Sequence, residues 1–236
     1  MLYERYFESV RGDRFRLDDE LDYAKILFQT FYKPEILGDP SARIMEVGCG
    51  FGKVLWAARE CGFTNIEGVD ISDDQIAFGR STLSLPLEKC DAVAKLTTLR
   101  GELDAVLAID VLEHCDLEYS ISLVRSARDA LRSRGVLIAQ VPNGLSPLAP
   151  TFHGDVTHIR AFSSTSLAQL FRFGGFKSFK IRAVPPVPHG MASAARRLLW
   201  MGLLNPVIRA YFLIACGSTM GGIYTPNIIC VASNED

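Results

Sequence analysis

Apolar residues recur at spacings of four and three at Leu17, Leu21, Ala24, Phe28 and Phe31, which predicts one face of a helix. Asp18, Asp19 and Glu20 stand near its start, where the helix dipole favours negative charge, and Pro34 stops it. From residue 43 the pattern becomes one of short apolar runs alternating with amphipathic stretches. Strands are predicted over residues 43–48, 65–71, 87–90, 103–112 and 136–141. Between them a helix spans 53–61 and closes at Gly62, and a second opens after Ser72 as its N-cap. A third carries Leu117, Ile121, Val124, Ala127 and Leu131 and stops at Gly135. This alternation predicts an α/β fold: a Rossmann-like, mostly parallel sheet with helices on both faces.

The last third is less regular. A loop is predicted over 144–162, a helix over 163–173, and strands over 176–184 and 227–233. Between those strands lies an apolar insertion near 185–226, with Arg196, Arg197 and Arg209 but no acid. Residues 192–204 and 206–216 predict two apolar helices, with Asn205-Pro206 opening the second and Gly217 closing it. At about 1.5 Å per residue each is too short for a ~30 Å hydrocarbon core. The pair is therefore expected to form a substrate lid or an oligomer interface. The alternative is a peripheral membrane contact through 192–216, since Arg196 and Arg197 beside Leu198, Leu199 and Trp200 suit lipid headgroups.

The 236 residues suit one domain. A net charge of -2 argues against a nucleic-acid partner, which calls for a basic stripe. Residues 1–6 carry no apolar signal core. The six cysteines, at 49, 61, 90, 115, 216 and 230, form no CxxC, and with four histidines they spell no zinc framework. Reduced thiols in a cytoplasmic protein are the expectation.

The strongest signal is Glu46-Val47-Gly48-Cys49-Gly50-Phe51-Gly52, a strand running through a glycine turn into a helix. Glycines let the backbone approach a ligand that any Cβ would block. Asp70, 20 residues beyond Gly50, can accept both ribose hydroxyls of a nucleoside. Dinucleotide enzymes use GxGxxG with pyrophosphate on the helix N-terminus. Here the third glycine comes one residue early and the motif opens on a carboxylate, which suits a cationic, phosphate-free ligand. S-adenosylmethionine (SAM) is such a ligand.

On these residues the chain resembles the class I SAM-dependent methyltransferases over most of its length. The resemblance implies a seven-stranded sheet with an antiparallel last strand, and SAM converted to S-adenosylhomocysteine. It places Glu46, Gly48, Cys49, Gly50 and Gly52 around the methionine part of SAM. It places Asp70 on the ribose and Ile71 beside the adenine. Asp91 and Ala92 fall at the adenine amino group, and Ile109 at the end of the fourth strand beneath the methyl donor. Residues 1–40 then form a helical cover, in which Tyr3, Tyr6, Phe7 and Phe15 either close over the cofactor or pack on the core. Residues 41–143 form the SAM-binding core and 144–236 the acceptor side.

The place after the fourth strand reads Ile109-Asp110-Val111-Leu112, without the Pro-Pro-aromatic run of amino-directed nucleic-acid methylases and without a Pro-Cys nucleophile. A hydroxyl or small amine acceptor remains. The run Asp155-Val156-Thr157-His158-Ile159-Arg160-Ala161-Phe162 and the later Thr225-Pro226-Asn227 resemble the branch of ubiquinone-type and polysaccharide-pathway O-methyltransferases. A sugar hydroxyl in a polysaccharide or glycolipid intermediate is the expected acceptor. A phenol or quinone precursor is the alternative, and a SAM-binding protein without transfer a third reading. Imidazole titrates near neutrality, so His158 is the candidate base, oriented or replaced by Asp155, against a role for both as caps of the next helix or braces of the loop. His153, Arg160 and Asn143 are candidate acceptor contacts, and His114 a helix cap. Glu113, Asp110 and Asp116 are spread along a strand and turn with no second donor cluster evident, so no metal is predicted.

Overall fold

A computed structural model of the chain describes residues 15–36, 40–188 and 190–235. Helix α1 (Leu17–Leu27) buries Leu21, Ala24 and Leu27 and continues through a wide turn to Tyr32. The strands and helices then alternate: β1 (Ile44–Val47), α2 (Lys53–Glu60), β2 (Ile66–Asp70), α3 (Asp73–Leu83), β3 (Leu87–Lys89), α4 (Ala92–Thr97) and β4 (Leu103–Ile109). Next come α5 (Leu117–Ala130), β5 (Leu131–Pro142), the single turn α6 (Pro150–His153) and α7 (Ser164–Phe173). The chain closes with β6 (Ser178–Val184), α8 (Met191–Leu199), α9 (Asn205–Cys216) and β7 (Asn227–Ser233).

The seven strands form one sheet in the order β3-β2-β1-β4-β5-β7-β6. β7 runs antiparallel to both of its neighbours and the other pairings are parallel. The sequence-based fold is therefore the observed one. Both faces are buried, as a parallel sheet requires. One core joins Ile44, Leu107 and Ile138 to α1, α2 and α3. The other joins Met45, Val106 and Leu137 to α4, α5 and α7. The C-terminal ends of β1 to β5 open at one edge, where the strand order reverses between β1 and β4, and ligands bind α/β sheets at such a point.

Several boundaries differ for physical reasons. β4 ends at Ile109 rather than 112, because Asp110 adopts φ 54° and the chain turns into a tight helical turn over Leu112–His114. Ser72 holds the N-cap position of α3 but makes no side-chain cap bond; its hydroxyl turns to Asp74. The N-cap of α5 is Asp116, not His114: its Oδ1 accepts the Tyr119 N–H at 2.7 Å. The helix after residue 163 is capped by a reciprocal Ser163/Ser166 box, so Asp155 and His158 are not its caps. Phe15 packs edge-on against Phe51, centroids 6.2 Å apart, and Tyr3, Tyr6 and Phe7 lie outside the described residues.

The largest correction concerns the insertion. Residues Met191–Cys216 form one continuous 26-residue helix, not two. Pro206 lacks an N–H, and the helix absorbs this with a π turn over Trp200–Leu204, in which the Asn205 N–H bonds Trp200 O. At about 39 Å the helix is long enough to cross a bilayer, and so is its composition, with mean hydropathy 1.6 in its most apolar window. The ends of the insertion argue against a crossing. Val184 and Asn227 are register partners on adjacent strands, and Asn143 Nδ2 holds Ile223 O and Thr225 O at 3.0 and 2.9 Å. Seven residue steps separate Cys216 from Ile223, a reach of about 25 Å at most. The helix is thus tethered at both ends to the edge that carries the site. Phe212 stacks on Tyr224 at 5.2 Å, while Leu198 and Ile214 stand 73% and 87% exposed.

Candidate active site

Gly48, Gly50 and Gly52 all take left-handed φ, at 63°, 53° and 84°. A Cβ on Gly48 would lie 2.4 Å from Val111, so the turn between β1 and α2 tolerates no side chain there. Asp70, the last residue of β2, fixes this turn: its Oδ2 accepts the Gly50 N–H and its Oδ1 the Ser72 N–H, each at 2.8 Å. Cys49 is buried, and its N–H bonds Val69 O at 3.0 Å. Burial raises the Asp70 carboxyl above its ordinary range, opposed by these backbone bonds.

Glu46 lies under the turn, 2% exposed, and its Oε2 has no hydrogen-bond partner. Burial raises its carboxyl well above the usual range, against the pull of Lys53. An ionisable oxygen kept dry and unpartnered beside a backbone cradle fits a cationic ligand, whose charge would meet it. Ile71 is 51% exposed at the end of β2, an apolar surface free for a base to stack on. Ile109 is buried at the end of β4. Asp91 is already engaged: it caps α4 through Ala94 N at 2.8 Å and accepts the Tyr119 hydroxyl at 2.7 Å, while Ala92 behind it is buried. The residues present fit SAM, with Glu46 for its ammonium, the glycine turn for its backbone-facing side and Asp70 for its ribose.

A carboxylate ordinarily titrates near 4.5 here, and the folded value of Glu46 is higher. The folded state therefore holds this proton more tightly. The stability from this group is fully present at low pH and is lost as pH rises from about 4.5 through the raised folded value. Glu46→Gln removes that loss. Its unfolding free energy should overtake the wild type's increasingly from pH 5 to 8, by about 1–3 kcal/mol at the upper end, while SAM affinity falls at least tenfold. Thermal melts across pH and calorimetric SAM titration check the two opposite signs.

Beyond β4 the site becomes a polar network that spacing did not show. Tyr32, fully buried, donates to Gln140 Oε1 at 2.8 Å, and Gln140 Nε2 donates to the two Asp110 oxygens at 3.1 and 3.2 Å. Gln140 was the legible signal, a lone amide inside the apolar run of β5. Tyr23 of α1 stands near Asp110, and burial with that carboxylate raises its phenol. Lys53 ties α1 to α2 through Glu20 at 2.9 Å.

His158 lies beside this network. Its Nδ1 is 2.8 Å from Phe152 O, and a carbonyl only accepts, so Nδ1 carries the proton and Nε2 the lone pair. That Nε2 is 3.8 Å from Glu113 Oε1. Asp155 is tied to His158 through the main chain, its backbone O accepting the His158 N–H at 3.3 Å. Its Oδ1 accepts from Thr157 N and Oγ1 at 2.8 and 2.6 Å, and Thr157 Oγ1 in turn lies 2.8 Å from His114 Nδ1. The rings of His114 and His158 meet edge-on, centroids 4.6 Å apart. Burial lowers His114 from the usual histidine range. His153 is exposed at the end of α6. Asn143 is buried and spends its side chain on Ile223, Thr225 and Leu145 N, bracing the acceptor side rather than facing it. Arg160 Nε is buried without a hydrogen-bond partner.

Known proteins agree with this geometry. A family model described as a methyltransferase domain matches residues 19–180. The structure is similar to a SAM-dependent methyltransferase from Archaeoglobus fulgidus, with 22% identity, TM-score 0.70, and 97% and 99% of the two chains covered. It is also similar to Haemonchus contortus phosphoethanolamine N-methyltransferase 2 solved with S-adenosyl-L-methionine, with 15% identity and TM-score 0.62 over the whole of this chain and 61% of that one. A curated relative, methoxy mycolic acid synthase MmaA3 of Mycobacterium tuberculosis, is 25% identical over 114 residues, which span 45% of this chain and 38% of the relative. With the glycine turn, the acid at the end of β2 and the sheet order all in place, the chain belongs to the methyltransferase-domain family and has the class I SAM-dependent methyltransferase fold.

Proposed function

We propose that the enzyme methylates a hydroxyl on a sugar of a polysaccharide or glycolipid intermediate, working at the cytoplasmic face of a membrane. The observation that carries this reading is the group of Glu113, His114 and His158 gathered beside Asp110 at the tip of β4. SAM supplies a methyl carbon already activated by its sulfonium. In the transfer the acceptor oxygen bonds to that carbon, the carbon–sulfur bond breaks with its electron pair left on sulfur, and the hydroxyl proton is lost at the cluster. A sugar hydroxyl is a weak acid and needs such a group; a phenol needs it far less. Alignment of the oxygen with the methyl contributes up to about 7–11 kcal/mol.

The chain's own residues serve the rest. Gln140 holds Asp110, and with it the turn under the methyl donor. Arg160, with its unpartnered Nε, suits an anionic group on the acceptor. The tethered helix Met191–Cys216 brings three arginines and an exposed apolar surface to the same edge, which suits an acceptor carried on lipid. The resemblance to the polysaccharide branch and the name of the mycobacterial relative, a synthase of methoxy mycolic acid, support the same direction.

His158→Ala should keep SAM affinity within twofold and cut turnover at least tenfold; unchanged turnover rejects the cluster's part. The test of the acceptor uses methyl-labelled SAM, purified enzyme and an extract of the source cells. Label in a lipid-linked or polymeric glycan supports the proposal, and label in a free aromatic pool replaces it with the phenol reading.

A further inference from the structure

The acids Asp110, Glu113 and Asp116 are spread along the chain, which was the ground for expecting no metal. The fold supplies what the sequence did not: Glu113, His114 and His158 each bring one donor atom to within 4.8 Å of the others. Glu113 is 0% exposed, and neither of its carboxylate oxygens has a hydrogen-bond partner. Two buried oxygens left bare are costly, and native structures rarely carry them without an ion, a proton or a water. The arrangement of the histidines says which. His158 commits its Nδ1–H to Phe152 O, so its Nε2 lone pair faces Glu113 Oε1 across 3.8 Å, too far for a hydrogen bond. Thr157 has one hydroxyl proton, and Asp155 Oδ1 at 2.6 Å receives it. The Thr157 oxygen therefore accepts from His114 Nδ1–H, which puts the His114 lone pair on Nε2 as well. Imidazoles whose Nδ1–H is fixed to a carbonyl or a carboxylate-linked oxygen, with the second nitrogen held as a donor, have the outer arrangement of metal-binding histidines.

We infer that Glu113, His114 and His158 bind a divalent first-row transition cation at the tip of β4, with open coordination positions that take the oxygen of the methyl acceptor. Two imidazole nitrogens and one carboxylate favour ions such as Zn2+, Co2+ or Mn2+ over Ca2+ or Mg2+, which want a cage of oxygens. Donors about 2.1 Å from one ion stand roughly 3–3.5 Å apart, so side-chain rotations of about 1 Å complete the shell. Three protein ligands leave room for exogenous oxygens, the pattern of a working rather than a structural site. His158 is then a ligand rather than the base itself, and Asp155 and Thr157 are positioning residues acting through His114. The use of the ion rests on the proposed function; its binding does not.

The test uses tag-free full chain, stripped with chelator and dialysed, and titrated with Co2+ without SAM or acceptor. One equivalent of Co2+ with d–d absorption bands is expected. Glu113→Gln should weaken binding at least tenfold and His158→Ala likewise, while both variants bind SAM as wild type does, which shows that they are folded. Thr157→Val, which leaves all three ligands in place, should weaken Co2+ by about tenfold. Failure of SAM-binding wild type to take up Co2+, Zn2+ or Mn2+ overturns the inference, as does full Co2+ affinity in Glu113→Gln. A bound ion in a protein that transfers no methyl group leaves this inference standing and rejects the proposed function instead.

Discussion

Asp70→Ala should lower SAM affinity at least a hundredfold. Asp70 is asked to do two things at once. Its oxygens accept Gly50 N–H and Ser72 N–H at 2.8 Å, which pins the glycine turn in its left-handed conformation and sets the start of α3. Their remaining lone pairs would be the acceptors for the ribose hydroxyls of bound SAM. A hydrogen bond to a charged group contributes about 1.5–3 kcal/mol, so losing two ribose bonds costs roughly 3–6 kcal/mol, a factor of 10² to 10⁴ in Kd. Alanine also frees the turn, so the ligand must order it on binding. Asp70→Asn keeps one oxygen acceptor and should fall between alanine and wild type. Titration calorimetry with S-adenosylhomocysteine reads the effect, and a loss smaller than threefold would falsify the ribose assignment.

The second large effect is expected at vesicles. Wild type should co-sediment with liposomes containing anionic lipid, and the double variant Leu198→Glu/Ile214→Glu should not. Both side chains stand out from the tethered helix, and the helix carries arginines without acids. Seated in the interface, its apolar face would reach only the headgroup–acyl boundary. A carboxylate at the centre of a bilayer costs about 2.5–3.5 kcal/mol on insertion scales; even half that for each of two sites shifts partitioning by roughly 60- to 300-fold. SAM binding is the control for folding, because both side chains are exposed and belong to neither core. Equal sedimentation of both proteins rejects the membrane contact and returns the helix to a lid or an oligomer interface.

What the sequence made legible was local. The cofactor turn needs three glycines at fixed spacing and an acid at the end of the next strand, and all of these lie within 25 residues. The alternation of strands and helices is a periodicity, and it predicted the sheet. The misses share another cause. Asp110 ends β4 by adopting a positive φ, which a non-glycine residue does not announce. Asn205-Pro206 reads as a helix start, and only the π turn ahead of it shows how one helix runs through. His114 and His158 meet across 44 positions of chain, His158 being carried on a loop whose path no spacing rule gives. Asn143, read as an acceptor contact, is a brace because a segment 80 residues away folds onto it.

The register of β6 and β7 has a bearing on how the enzyme is made. Val184 and Asn227 stand opposite each other, so the strands would close as a hairpin if everything between them were a short turn. The long helix contributes nothing to either core. Sheet formation therefore need not wait for that helix to find its surroundings, and the chain can finish folding in water as it leaves the ribosome. Attachment to lipid, if the vesicle experiment finds it, would then be a separate, reversible event, set by the composition of the membrane and not by an insertion machinery.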